Sequence, residues 1–185
     1  MKKLIEKTKK HNKLIKFAGL ILILLLSGLV LRYAEQLKNL ENYGYAGIFL
    51  INLLGSATII FPVPALVTAF VGGAIFNPLM VGIAGGVGAA LGESTGYFVG
   101  HTGQAVIGNH KKYEKVKRWI QKHGSVTIFF LALIPNPLFD IAGIASGMSG
   151  LPYYQFLTYT LLGKTLRYIA ISYLGAGSFN LINGF

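Results

Sequence analysis

Two Pro-x-Pro triplets stand in the middle of strongly apolar segments, and they restrict the folding of this chain more than any other feature. The first is Pro62-Val63-Pro64 within "IIFPVPALVTAFVGG", and the second is Pro135-Asn136-Pro137 within "ALIPNPLFDIAGIASG". Proline removes a backbone donor, and its ring presses on the carbonyl one turn back, so a helix does not run unbroken through either triplet. Each apolar segment is therefore divided into two arms. Behind each pair of arms stands another proline that opens a long apolar stretch, Pro78 after Asn77 and Pro152 after Leu151. Pro64 precedes Pro78 by 14 residues and Pro137 precedes Pro152 by 15, so the punctuation repeats although the residues do not.

The surroundings of these arms say what solvent they meet. Of the 185 residues 53% are hydrophobic and 12% charged, half the charged fraction of about 25% usual for soluble domains. That composition points to an integral membrane protein. Cysteine is absent, which excludes disulfides and thiolate metal sites. His11, His101, His110 and His123 have no ligand spacing, so neither a metal nor a cofactor is expected. A net charge of +11 would suit nucleic acid, but its distribution does not. Seven lysines lie between residues 2 and 16, and Lys111, Lys112, Lys115, Lys117, Arg118 and Lys122 share one loop. Basic clusters separated by long apolar runs follow the positive-inside rule, with both clusters on the cytoplasmic side.

The order along the chain is then as follows. Residues 1–44 hold a basic cytoplasmic N-terminus, a first transmembrane helix over Phe17–Leu31 and an interfacial helix. Residues 45–178 hold two arms over 45–76, a spanning helix over 78–100, a basic interfacial loop over 101–124, two arms over 125–150 and a spanning helix over 152–177. Residues 179–185 are a short tail. The arm 65–76 is about 18 Å of helix at 1.5 Å per residue, too short for a hydrocarbon core of about 30 Å. If 45–76 were one kinked span, the loop carrying Lys111 would lie opposite the basic N-terminus. If both triplets reverse the chain, the two clusters share a side. The fold expected is an all-α membrane protein: an inverted repeat of two re-entrant hairpins, each followed by a spanning helix, with an N-terminal transmembrane helix. The expected location is a prokaryotic plasma membrane, with the N-terminus cytoplasmic.

Irregular backbone in hydrocarbon leaves orphaned polar groups, so the tips at Pro62, Pro64, Pro135 and Pro137 must be enclosed by protein or face a hydrated cavity. The second tip carries Asn136 and Asp140. Asp140 either faces that cavity or stabilises the first turn of the returning arm. Glu93 and Tyr97 lie four apart on the helix after the first hairpin, with Lys164 or Arg167 of the equivalent helix as partners for Glu93. Gly88, Gly92, Gly96 and Gly100 recur every four residues and form a ridge for close helix packing, within the chain or against a second copy. In "HKKYEKVKRWIQK", Tyr113, Val116 and Ile120 have helical spacing beside Trp119, the pattern of a helix lying on the anionic cytoplasmic leaflet.

The stretches "LGESTGYFVGHTG", "IPNPLFDIAG" and "LLGKTLR" resemble the DedA/VTT superfamily of membrane proteins, over roughly Tyr45 to Gly177, and look closest to its vacuole membrane protein branch. The resemblance implies two opposed re-entrant hairpins and movement of lipid between leaflets: scrambling in the eukaryotic relatives, flipping of carrier lipid or phosphatidylethanolamine in bacterial ones. By position Glu93 matches the acidic residue of its "GE" motif. Pro135, Asn136, Pro137 and Asp140 match the second hairpin, and Gly163 with Lys164 the "GK" segment. Many bacterial members carry arginines around the second hairpin's proline and an acid near the first; this chain has neither. The expectation is a transporter of phospholipids or lipid-phosphates between leaflets, with Glu93, Tyr97, Asn136, Asp140, Lys164 and Arg167 along the path. The alternatives are an ion- or proton-coupled carrier of small solutes and a non-transporting assembly factor. An enzyme is not expected, because no nucleophile–base set is present.

Overall fold

The computed structural model describes residues 41–57, 65–102, 110–135 and 138–183. The expected first transmembrane helix, Pro62, Pro64, Asn136 and Pro137 lie outside the described residues. All regular structure among those described is α-helical: α1 (Glu41–Ala57), α2 (Ala65–Ile75), α3 (Pro78–Gly92), α4 (Ser94–His101), α5 (His110–His123), α6 (Ser125–Leu133), α7 (Phe139–Met148) and α8 (Tyr153–Asn183). Helix starts follow local chemistry. Asn77 caps α3, its Oδ1 accepting from the amides of Leu79 (3.0 Å) and Met80 (3.3 Å) ahead of Pro78 at the first turn. The Pro152 carbonyl accepts from the amides of Gln155 and Phe156 as α8 begins. Gly124 and Gly150, with φ of 57° and 69°, make the turns before α6 and after α7.

Three observations bear on the expected helices. The span over 78–100 is interrupted at Glu93, between α3 and α4. The Lys164 ammonium donates to the Ala89 carbonyl at 3.4 Å, the same oxygen that accepts the Glu93 amide at 3.2 Å. A side chain entering the helical ladder beside a Gly92/Ser94 pair is a physical cause of such a break. Second, no helix among the described residues is long and apolar enough to cross a membrane. α3 stops after 15 residues, and α8, with 31, is divided by Gln155, Lys164, Arg167 and several threonines and serines. It also continues to Asn183, through most of the segment read as a tail. Third, the apolar face of α5 is covered by neighbouring helices. Tyr113, Val116 and Ile120 are buried in one core with Ile128 and Leu131 of α6 and Phe139 and Ala142 of α7.

Glycines determine how the helices pack. Gly82 and Gly86 of α3 lie against Ile169 and Thr165 of α8, so these two central helices run antiparallel. Gly88 against the Phe49 carbonyl and Gly92 against the Leu53 carbonyl bring α1 alongside α3 in parallel. Gly163 against the Phe129 carbonyl, with Ser125 Oγ donating to Gln155 Oε1 at 2.9 Å, does the same for α6 and α8. The returning arms are exchanged. α2 packs parallel to α8, with Ala69 beside Tyr168 and Ile171, Gly73 on the Ser172 carbonyl and Gly175 on the Phe70 carbonyl. α7 packs parallel to α4, with Gly143 level with Gly96, Gly147 on the Tyr97 carbonyl and Gly100 on the Ile144 carbonyl. Gly73 and Gly147 are 74 residues apart, as are Phe70 and Ile144; Gly100 and Gly175 are 75 apart, as are Tyr97 and Ser172. The same four-residue clasp occurs twice, each time between the two halves.

Candidate functional site

Glycines also carry two charges into the interior. Glu93 follows Gly92, which lets α1 close over the end of α3, and Lys164 follows Gly163, which lets α6 close over the middle of α8. There Lys164 Nζ donates to Glu93 Oε1 at 2.5 Å, with side-chain exposures of 4% and 10%. The ammonium also lies 5.0 Å from the centre of the Phe139 ring at the start of α7. Two charges removed from solvent are tolerated only with close pairing and further hydrogen bonds, and the Ala89 carbonyl supplies one.

Arg167 lies three residues past Lys164. Its guanidinium carbon is 5.6 Å from the centre of the Tyr168 ring, and its Nε is buried without a hydrogen-bond partner. A buried donor left unpaired is costly, so this nitrogen is a place where a polar ligand would be stabilised. Asp140 is exposed in the first turn of α7, where the cap position belongs to Leu138. Its backbone carbonyl faces Gly96, three residues beyond Glu93. Four charged residues from α3–α4, α7 and α8 are thus gathered about one crossing point. Tyr97 is placed differently. Its hydroxyl donates to the Leu151 carbonyl at 2.6 Å, and its ring stacks on Phe156 at 5.1 Å in a buried aromatic cluster. Gly88 and Gly92 face α1, whereas Gly100 faces α7 and Gly96 is less tightly packed. The ridge is split between two partners at the Glu93 break.

A second polar group escaped the sequence reading. Tyr168 Oη donates to Asn52 Oδ1 at 2.8 Å, and Asn52 Nδ2 donates to the Ile48 carbonyl (2.7 Å) and to Thr68 Oγ1 (2.9 Å). Asn52 and Tyr168 are fully buried, joining α1, α2 and α8 directly beside Arg167. The available signal was Asn52 itself, a lone amide in "GIFLINLLG". Among the described residues no three His, Cys, Asp or Glu side chains converge as a metal ion would require.

Comparison with known proteins places this arrangement. The VTT domain family model matches residues 61–177, which include all four charged residues. Vacuole membrane protein KMS1 of Arabidopsis thaliana is 35% identical over 103 residues, covering 44% of this chain and 25% of that protein. Human vacuole membrane protein 1 is 45% identical over 51 residues, 28% of this chain and 13% of that protein. An uncharacterized membrane protein of Synechocystis is 30% identical over 147 residues, 71% of this chain and 66% of that protein. The chain spans a quarter or less of the two vacuole membrane proteins. No solved structure matches it significantly.

Proposed function

This chain belongs to the VTT domain family, and from that premise we propose that it is an integral membrane protein that moves phospholipids or lipid-phosphates between leaflets. The observation that carries the reading is the Glu93–Lys164 pair, with Arg167 beside it, inside a bundle whose outside is apolar. Leu50 and Leu54 of α1, Phe98 of α4, and Leu162, Leu166 and Leu174 of α8 are all exposed. Large apolar side chains exposed on several helices suit lipid better than water. Charge inside such a bundle is expected to face a partner or a hydrated path.

The proposed topology is an inverted repeat. α1–α2 and α6–α7 are two re-entrant hairpins entering from opposite faces, and α3–α4 and α8 cross the membrane between them. Antiparallel α3 and α8 and the exchanged returning arms support this reading. So does length: α2, α6 and α7 have 11, 9 and 10 residues, each about half of a 30 Å hydrocarbon core. Headgroups would pass between the hairpin tips while acyl chains stay in lipid. Arg167 and Lys164 would draw the phosphate, and Glu93, Asn136 and Asp140 would hydrate the path.

The test is a headgroup-resolved lipid exchange assay on purified protein in vesicles, with and without a pH gradient. Exchange without a gradient that is slowed in Glu93→Leu and Asp140→Leu supports the proposal. Unchanged rates would remove those residues from the path. Proton flux through Glu93 with no lipid movement would select an ion- or proton-coupled solute carrier instead. Inactive purified protein would favour a partner-dependent assembly role.

A further inference from the structure

Beyond the crossing point lies a groove at the junction of α5, α6 and α7. It is a cavity of about 680 Å³, between Trp119 and His123 of α5, Val126 and Phe130 of α6, and Ile134 and Leu138 at the adjoining ends of α6 and α7. Sites for small ligands usually fall between about 300 and 1,000 Å³ and are mostly apolar. Val126, Phe130 and Ile134 recur every four residues and are 47%, 54% and 56% exposed, so one stripe of α6 forms an open apolar wall.

The rim is basic. Lys115 Nζ lies 4.8 Å from the centre of the Trp119 ring, one turn before the groove. Lys122, three residues after Trp119, is exposed on the adjoining turn, and Arg118 is exposed beside it. Glu114 is the single acid of α5. An apolar trough with a cationic lip recognises an amphiphile with an acyl chain and an anionic head. The same lip repels the basic N-terminal segment of this chain, which carries seven lysines in residues 2–16, and the α5 of a second copy. From this charge complementarity we infer that the α5–α6–α7 groove is a binding site for an anionic phospholipid, with one acyl chain along Val126, Phe130 and Ile134 and its headgroup on Lys115 and Lys122. The inference rests on the membrane placement proposed above but assigns a site apart from Glu93 and Lys164.

Trp119 is the only tryptophan in the chain, and it lines the groove, so its fluorescence is a local reporter. The full chain is reconstituted in phosphatidylcholine vesicles containing either phosphatidylglycerol or phosphatidylcholine brominated on the acyl chain. Each basic residue near a lipid surface favours an anionic lipid by about fivefold. Brominated phosphatidylglycerol should therefore quench Trp119 at a mole fraction on the order of tenfold lower than brominated phosphatidylcholine. The doubly substituted Lys115→Gln/Lys122→Gln protein, altered only on its exposed face, should lose most of that preference. Equal quenching by the two lipids would overturn the site while leaving the membrane placement intact. A preference that survives the double substitution would overturn it as well. Quenching by neither lipid, in vesicles that retain the protein on flotation, would show that lipid does not reach the groove; exchange measured on the same vesicles then decides separately whether transport stands.

Discussion

Glu93 and Lys164 illustrate how a buried charge is read from sequence and where the reading stops. Acids and lysines within apolar helices are few here, so composition alone singled out Glu93, Lys164 and Arg167. Which cation meets Glu93 depends on helix rotation, and the structure pairs Lys164 with it and leaves Arg167 on Tyr168. Asn52 and Tyr168 were not legible as a pair, because residues 116 positions apart become neighbours only when α1 and α8 both pack on α3. The ion pair makes a sharp stability prediction. Glu93→Leu strands the Lys164 ammonium, with an expected loss of about 3–5 kcal/mol. Glu93→Leu/Lys164→Leu removes both charges and should recover most of that loss. Unfolding of the single and double variants in detergent is the measurement, and equal losses in both would show that the pair is not the stabilising unit. Lipid exchange by the double variant then separates roles: folded but inactive protein assigns the charges to the path. A second residue follows the same logic. Asn52→Leu leaves the buried Tyr168 hydroxyl without its acceptor, an expected cost of about 1–3 kcal/mol in the same unfolding assay.

Among the helices, their existence was legible and their partners were not. Proline and glycine punctuation marks where helices start and stop, and the observed bounds follow it closely apart from the break at Glu93 and the extension of α8. A four-residue glycine ridge predicts close packing, but the break turns Gly88 and Gly92 toward α1 and Gly100 toward α7. Gly82 and Gly86, which seat the central α3–α8 crossing, carried no mark distinguishing them from other glycines. The amphipathic pattern of α5 was clear, yet a period cannot tell lipid from a neighbouring helix, and α6 and α7 cover that face. The paired clasps should respond alike to substitution. A Cβ at Gly73 would run into the Ser172 carbonyl, and one at Gly147 into the Tyr97 carbonyl. Gly73→Ala and Gly147→Ala should each destabilise by about 1–3 kcal/mol or more. Gly47 of α1 has open space where a Cβ would go, so Gly47→Ala should instead gain about 0.5–1 kcal/mol of helix stability. Thermal unfolding of the three variants checks this; a neutral Gly147→Ala would show that the second clasp does not bear on stability as the first does.

At the scale of the whole molecule, the exchange of returning arms makes the two halves interdependent. Neither α2 nor α7 rests chiefly on the long helix of its own half; each is held by the other half's helix. This arrangement suits a pair of short hairpins that could not each cover a hydrocarbon core alone, and the proposed topology then assigns the helix ends to membrane faces. If both hairpins re-enter, Tyr43 in the first turn of α1 lies on the outer face, because α1 and α2 enter and leave there. Lys122 on α5 lies on the inner face, and so does Tyr154 at the start of α8, because α6 and α7 enter and leave on that side. A spanning 125–150 segment would put Tyr154 opposite Lys122. The chain has no cysteine, and Tyr43 and Tyr154 are 81% and 68% exposed, so single cysteines at Tyr43, Lys122 and Tyr154 are clean probes. Labelling with a membrane-impermeant maleimide, in vesicles of one known orientation, should mark Lys122→Cys and Tyr154→Cys from the same side and Tyr43→Cys from the other. Opposite accessibility of the Lys122 and Tyr154 positions would replace the second hairpin by a crossing. It would then also remove the symmetry on which the proposed path past Glu93, Lys164 and Arg167 rests.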